Sequence, residues 1–454
     1  MFLYGPHNTS FFMPFQGCAL WRERAMRTTM SAMSGHDPWY MNAVFYEMYV
    51  DGFAGDFRGL TDRLDYLERL GVTCVWLLPH YPSPMVDDGY DVSDYKAVRP
   101  ELGTLSDFDA FVSAAHARGI RVLVDLVLNH TSTEHPWFIK ALSEPDCPEH
   151  GYYLWSSSGT ELADSTNVFD HLKPSNWIPS PGGGGFYFST FYPQQADLDW
   201  DNPAVLDEFL RIMDFWLDRG VDGFRVDAIT HLAKREGTKS IHLNETHDVL
   251  RRIRAYLDER HPHAVLLGEA NGRYADIVRY FGKGDECHML FHFPLMTTLF
   301  LSLIRNEPDI ARSYAKETAD IPAGCQWATV LRNHDELTLK FASEETREEI
   351  FSAIDPDGQY LMKRDMGTAV RLATAFNGDP ERIGDAFELL FSMPGSPVIY
   401  MGDEIGIGNV PAPGPDVRRT GRAPMDWERA EPQTTDPGSL FSRVARLARE
   451  RRRS

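Results

Sequence analysis

Four short segments carry residue types able to do acid–base or nucleophilic chemistry on an uncharged substrate. Gly223-Phe224-Arg225-Val226-Asp227 sets a guanidinium and a carboxylate two positions apart. In a strand that spacing puts both on one face, where the cation favours the ionised acid. Leu267-Gly268-Glu269 ends an apolar run on a carboxylate, in surroundings expected to favour its protonated form. Asn333-His334-Asp335 and Asn129-His130 end two further runs. Any one of these carboxylates could serve as a cap or an ion-pair partner. Three together, with two histidines beside them, suit glycosidic-bond chemistry. One carboxylate attacks the anomeric carbon, another protonates the leaving oxygen, and a third holds hydroxyls around an oxocarbenium-like transition state.

The elements that must position them follow from periodicity. Short β-branched runs at Val44–Val50, Cys74–Pro79, Arg121–His130, Gly223–Ala228, Val265–Ala270, His288–Phe293, Trp327–Asp335 and Ser396–Glu404 read as strands. Amphipathic stretches lie between them, such as Leu60–Leu70, and several end in glycine (Gly71, Gly119, Gly220). Eight strands alternating with helices predict a (β/α)₈ barrel, an α/β fold whose chemistry sits at the C-terminal strand ends. About ninety residues separate strand three from strand four, far more than an ordinary loop. They predict an inserted subdomain over 131–202, with the barrel formed by 38–130 and 203–454. Its aromatic residues Trp177, Phe186, Tyr187 and Tyr192 are expected to form a lid. Residues 1–37 are expected to be a disordered or mis-called extension, and the chain ends on a helix from Leu440.

Composition narrows the partners. The 454 residues carry 45 Lys+Arg against 66 Asp+Glu, a formal charge of −21, which repels nucleic acid and anionic membrane surfaces but leaves neutral sugars unaffected. The five scattered cysteines form no CxxC pair and fit a reducing cytosol. No apolar run is long and clean enough for a membrane span, and no signal peptide is recognisable, so a cytoplasmic location is expected.

Asp125-Leu126-Val127-Leu128-Asn129-His130, Gly223–Asp227, Gly268-Glu269-Ala270 and Asn333-His334-Asp335 resemble, in order and spacing, the four conserved blocks of the α-amylase superfamily. The resemblance implies Asp227 as nucleophile, Glu269 as general acid/base and Asp335 as transition-state stabiliser. It makes His130 and His334 sugar-binding and has Arg225 orient the nucleophile. Asp87-Asp88-Gly89-Tyr90-Asp91 is similar to the pocket-type members, in which Tyr90 stacks on the sugar and Asp87 pairs with an arginine, here Arg422, to close the groove. Longer matches at Trp76–Pro84, Arg235–Thr238, Asn244–His247, Gly284–Met296 and Leu331–Leu339 resemble the trehalose-synthase branch, the maltose–trehalose isomerases. That implies intramolecular glucosyl transfer by retaining double displacement, with maltose and trehalose as the sugars. The alternatives are an α-glucosidase or amylase-type hydrolase of short maltooligosaccharides and, from another class, an inactive amylase-like scaffold. No cofactor is required for the chemistry. The family's structural Ca²⁺ would fall on Asn129, Asp197, His231 and Leu232, although Lys234 stands where a further carboxylate ligand is expected. The loop after Val50 is shortened, and a barrel without the family's C-terminal β-sandwich is expected.

Overall fold

Eight short strands close on themselves in the computed structural model, which describes residues 38–181, 183–362, 366–414 and 416–452. They are β1 (Phe45–Met48), β2 (Cys74–Leu77), β3 (Arg121–Val127), β4 (Gly223–Asp227), β5 (Val265–Gly268), β6 (Met289–Phe291), β7 (Gln326–Val330) and β8 (Ser396–Tyr400). All are parallel and paired in chain order, and β1 meets β8 through Phe45↔Val398 to complete the barrel. Every expected strand is therefore present. Each stops one to five residues before the end that the periodicity assigned to it, and β4 alone runs through its catalytic-type residue, Asp227. The expected 1–37 extension lies outside the described residues.

The strand sequences are nearly continuous runs of Val, Leu, Ile and aromatic residues because both faces are buried, the inner one by other strands and the outer one by helices. Polar residues inside the barrel are correspondingly few. Glu47, Asp125 and Arg225 are each fully buried, and all three converge beneath the C-terminal rim. Several helices enter on side-chain caps. Thr104 and Asp107 build a reciprocal capping box at the start of Leu105–Ala117. Gly71 ends the helix Leu64–Leu70 at φ 92°, and a Cβ there would meet the Cβ of Ala448 at 2.9 Å, so glycine also lets the terminal helix Leu440–Arg451 pack closely. The stretch expected as one helix, Leu60–Leu70, is two: Phe57–Asp62 and Leu64–Leu70.

Two excursions leave the barrel on the side of the catalytic-type residues. Between β3 and the helix Pro203–Leu217 the chain forms a two-stranded sheet (His130–Ser132 with Gln195–Asp197). A three-stranded sheet of Trp155–Ser156, Phe186–Phe188 and Trp177–Pro179 lies beyond it. After β7 the chain forms a second unit, unanticipated from the sequence: a three-stranded sheet of Leu337–Thr338, Gly367–Thr368 and Leu361–Met362 with the helix Glu344–Ile354. Its strands are two residues long, too short for periodicity to register. Among the described residues no helix is long and apolar enough to cross a membrane.

Candidate active site

The centre of the site is the Arg225 guanidinium. On β4, residues 225 and 227 face inward together, and the Nη1 of Arg225 donates to Asp227 Oδ1 at 2.8 Å. The same nitrogen donates to both oxygens of Asp125 on β3, at 2.8 and 2.9 Å. Nη2 ion-pairs with Glu269 Oε2 at 2.8 Å. Three carboxylates thus share one cation, with the Asp125 carboxyl further held by Tyr90 Oη–H (3.0 Å) and Trp76 Nε1–H (3.2 Å). Exposure separates their roles. The Asp125 side chain is 0% exposed, whereas those of Asp227, Glu269 and Asp335 are 12%, 16% and 23% exposed. The last three are the ones a substrate can reach.

Burial raises the Asp125 acid to about 6 despite Arg225, and it holds the Asp227 acid well above the usual carboxylate range against the same opposition. The simple expectation that Arg225 keeps Asp227 ionised is therefore incomplete, because one guanidinium serves too many anions. Glu269 departs from expectation as well. It sits against the Nη2 of Arg225 and accepts the Ala228 N–H at 2.9 Å, not among apolar groups alone. That N–H is available because Ala228 adopts φ 43°, ψ 38°, a left-handed conformation uncommon in alanine and found where a site dictates the backbone. Gly268 is required before Glu269: a Cβ would come within 2.7 Å of Cys287 Sγ and 2.8 Å of Ile229 Cδ1.

The two histidines both lie against Tyr90. His130 reaches the Tyr90 carbonyl through Nε2 (3.2 Å), and His334 stacks on the Tyr90 ring at 5.4 Å with 10° between planes. Burial lowers the pKa of both imidazoles, so both rings are neutral. The expected Asp87–Arg422 clamp is not formed in that pairing. Arg418 takes Asp87 (Nη2 to Oδ1, 2.9 Å), Arg422 takes Asp88, and both arginines reach Asp335 Oδ1 at 2.9 Å. Arg418 further holds Asp416 (2.7 Å), and Gln195 Nε2–H donates to the other oxygen of Asp87 (3.0 Å). The single clamp is thus a double rung between the loop after β2 and the loop after β8. The reason is the spacing of the two arginines: Arg418 lies in the first turn of the 3₁₀ segment Val417–Gly421 and Arg422 caps its end four positions later.

The calcium expectation is corrected. Lys234 Nζ lies 2.9 Å from Asn129 Oδ1 and 2.9 Å from Asp197 Oδ2, and it donates to the His231 carbonyl. The ammonium therefore occupies the centre of the oxygens assigned to the metal, and Leu232 supplies nothing to it. A Ca²⁺ ion needs six to eight oxygen ligands and cannot share that position with a cation. The residues present do not fit the ion, and among the described residues no other cluster of acids, histidines or cysteines offers a site.

A cavity of about 620 Å³ opens above the carboxylates. Its wall includes Phe169, Phe191 and Tyr192 from the first excursion and Phe341 and Met366 from the second. Of the aromatic residues expected as a lid, only Tyr192 lines it. Trp177 packs on Phe188 and Tyr187 on Phe138, inside the excursion's own core. Leu172, Phe341 and Met366 are exposed at the cavity, three of the five large apolar side chains so exposed among the described residues. Asp125, Asp88, Arg418 and Glu47 were missed as site residues. Asp125 and Glu47 each interrupt an apolar strand with an unpaired-looking charge, which was a usable signal. For Arg418 the signal was its four-residue spacing from Arg422.

Comparison with known proteins agrees with this architecture. The family model for the α-amylase catalytic domain matches residues 24–355. A trehalose synthase/amylase from Mycobacterium tuberculosis is 44% identical over 425 residues, covering 90% of this chain and 70% of the relative. A trehalose synthase from a Pimelobacter species is 44% identical over 401 residues, covering 85% and 70%. Among solved structures, a trehalulose synthase in complex with Tris superposes with a TM-score of 0.73 at 26% identity, covering 92% of this chain and 85% of the other.

Proposed function

The chain belongs to the α-amylase family, and from that premise we propose that it interconverts maltose and trehalose by intramolecular transfer of a glucosyl group. The observation that carries the chemistry is the pair of reachable carboxylates, Asp227 and Glu269, on one guanidinium; the observation that carries the reaction type is the 44% identity to trehalose synthases over most of the chain. In this reading Asp227 attacks the anomeric carbon of the non-reducing glucose. The glycosidic C–O bond breaks as Glu269 gives its proton to the departing oxygen, leaving a β-glucosyl ester and a free glucose. The freed glucose turns, Glu269 takes the proton of its anomeric hydroxyl, and that oxygen displaces Asp227 to form the α,α-1,1 bond with overall retention. Burial holds the Asp125 and Asp227 acids above the usual carboxylate range against the pull of Arg225, so the cluster resists carrying its full complement of negative charge.

Asp335, His130 and His334 hold the hydroxyls of the glucose being transferred, and the Tyr90 ring stacks on it. The Asp87–Arg418 and Asp88–Arg422 rungs wall off its far side, which favours action from non-reducing ends of short sugars. A cavity of about 620 Å³ lies within the range of small-molecule sites. All four described cysteines are free, which supports a reducing, cytoplasmic setting. Incubation with maltose and isotopically labelled external glucose tests the reading. Unlabelled trehalose as the main product is expected. Glucose as the sole product would make the chain a hydrolase, and free entry of label into trehalose would make the transfer intermolecular.

A further inference from the structure

Glu47 lies outside the chemistry described above, yet it touches the site more closely than any other residue of β1. It interrupts the apolar run Phe45–Met48, its side chain is 0% exposed, and it points into the barrel beneath the rim. Its Oε1 accepts the backbone N–H of His334 at 3.0 Å and lies 2.5 Å from the ring Nδ1 of the same residue. The opposite ring nitrogen, Nε2, is 2.8 Å from Tyr90 Oη and 3.5 Å from Asp335 Oδ2. One side of the imidazole thus faces Glu47, and the other faces the sugar-binding groups.

The ring is neutral, so it carries one proton, and the neighbours decide which nitrogen holds it. Tyr90 Oη has one hydrogen to give and two lone pairs. Its hydrogen is directed to Asp125 Oδ2 (3.0 Å), and Arg225 Nη1–H donates into one lone pair (3.1 Å). A proton on Nε2 fills the remaining lone pair and satisfies every atom. A bare Nε2 would compete with Asp125 for the single hydroxyl hydrogen. With the proton on Nε2, Nδ1 must accept, and among the described residues Glu47 is the one placed to donate to it. The second oxygen of Glu47, Oε2, has no hydrogen-bond partner among the described residues. An isolated buried oxygen is far less costly on a neutral acid than on a carboxylate.

We propose that Glu47 is held in the barrel as a neutral acid, donates its proton to His334 Nδ1, and so fixes the Nε2–H tautomer on the substrate side. That makes Glu47 a positioning residue: it touches no sugar and acts through the imidazole. The proposal rests on the reading of the site as glucosyl-binding, but its test does not depend on which product leaves. Burial, which raises the Glu47 acid well above the carboxylate range, is in keeping with this assignment.

The ring nitrogens of the free enzyme, labelled with ¹⁵N-histidine, report the tautomer directly. The His334 signals are identified by their loss in His334→Gln. A protonated, pyrrole-type Nε2 and a bare, pyridine-type Nδ1 are expected in the wild type; the reverse overturns the proposal without recourse to any variant. In Glu47→Gln the amide carbonyl can keep the backbone N–H only by accepting Nδ1–H, so the tautomer should reverse. The bare Nε2 then competes with Asp125 for the Tyr90 hydroxyl hydrogen, and the disturbed Tyr90–Asp125–Arg225 contacts beneath Asp227 should lower kcat/KM for maltose by about tenfold to a hundredfold. A Glu47→Gln enzyme with the wild-type tautomer and wild-type kcat/KM would refute the assignment.

Discussion

Replacing Lys234 tests whether its ammonium does the work that a calcium ion would do among these oxygens. In Lys234→Met, Asp197 remains fully buried and loses its cation, although it keeps Thr190 N–H (2.9 Å) and Thr190 Oγ1–H (2.5 Å). Removing one partner of a buried ion pair costs about 3–5 kcal/mol. With an unfolding entropy of about 2.1 cal/mol/K per residue over the roughly 400 residues of the barrel and its excursions, each kcal/mol moves Tm by about 1.2 °C. A drop of about 4–6 °C is therefore expected in calorimetry at a fixed scan rate, the rate being held because proteins of this size often unfold irreversibly. Lys234→Glu carries the test further. It adds carboxylate oxygens to those of Asn129, Asp197 and the His231 carbonyl, so that variant should be unstable in a chelator and should gain Tm as Ca²⁺ is raised. The wild type should show the same Tm in chelator and in millimolar Ca²⁺. A wild-type Tm that falls on chelation, or a Lys234→Met enzyme as stable as the parent, would refute the reasoning.

Three further outcomes are expected. Asp227→Asn should fold normally and lose maltose turnover by several orders of magnitude, while Glu269→Gln should still accept glucosyl transfer from a substrate whose leaving group needs no proton; more than a tenth of wild-type activity in Asp227→Asn would remove it as nucleophile. Phe341→Ala combined with Met366→Ala opens the cavity edge on the second excursion, so the ratio of free glucose to trehalose should rise in product analysis while the first half-reaction keeps its rate. Burial raises the Glu404 acid to about 7, with Tyr46 and Tyr66 hydroxyls both donating to it, so the folded state binds this proton more tightly than the unfolded chain. Its contribution is fully present below the unfolded value near 4.5 and is lost as pH rises to about 7; Glu404→Gln should flatten the stability profile in that window and be at least as stable as wild type above it, as read by denaturant midpoints.

Much of the site was legible because strand chemistry is local. A carboxylate ending an apolar run, as in Gly223–Asp227, declares both its strand and its exposure to the rim, and a two-residue spacing declares that Arg225 and Asp227 share a face. The order of the strands also followed from simple alternation. What stayed hidden depends on distance. Nothing in the local pattern distinguishes Asp87–Arg422 from Asp87–Arg418, since the partners are more than three hundred positions away and either arginine can reach the loop. Likewise, Lys234 was legible as an obstacle to calcium but not as its occupant, because that requires Asn129, Asp197 and the His231 carbonyl to meet at one point. The second excursion escaped because its two-residue strands hold together by tertiary contact, with Asp355 collecting the N–H groups of Gln359 and Tyr360 and the hydroxyl of Thr368.

The closure of β1 on β8 sets a condition on how the molecule can be made. Phe45 and its partner Val398 are separated by 353 positions (398 minus 45), and Arg418 and Arg422 follow later still. At about 5–20 residues per second on the ribosome, β1 waits roughly 20–70 s for its neighbour. During that interval the nascent sheet carries two open edges, the kind of surface that recruits another chain. The Arg225 cluster is complete once β5 has emerged, but the arginines that hold Asp335 are not yet synthesised. Truncated or prematurely released chains should consequently be both inactive and prone to associate, and yield in a heterologous host should respond to translation speed and chaperone supply more than to stability of the finished barrel.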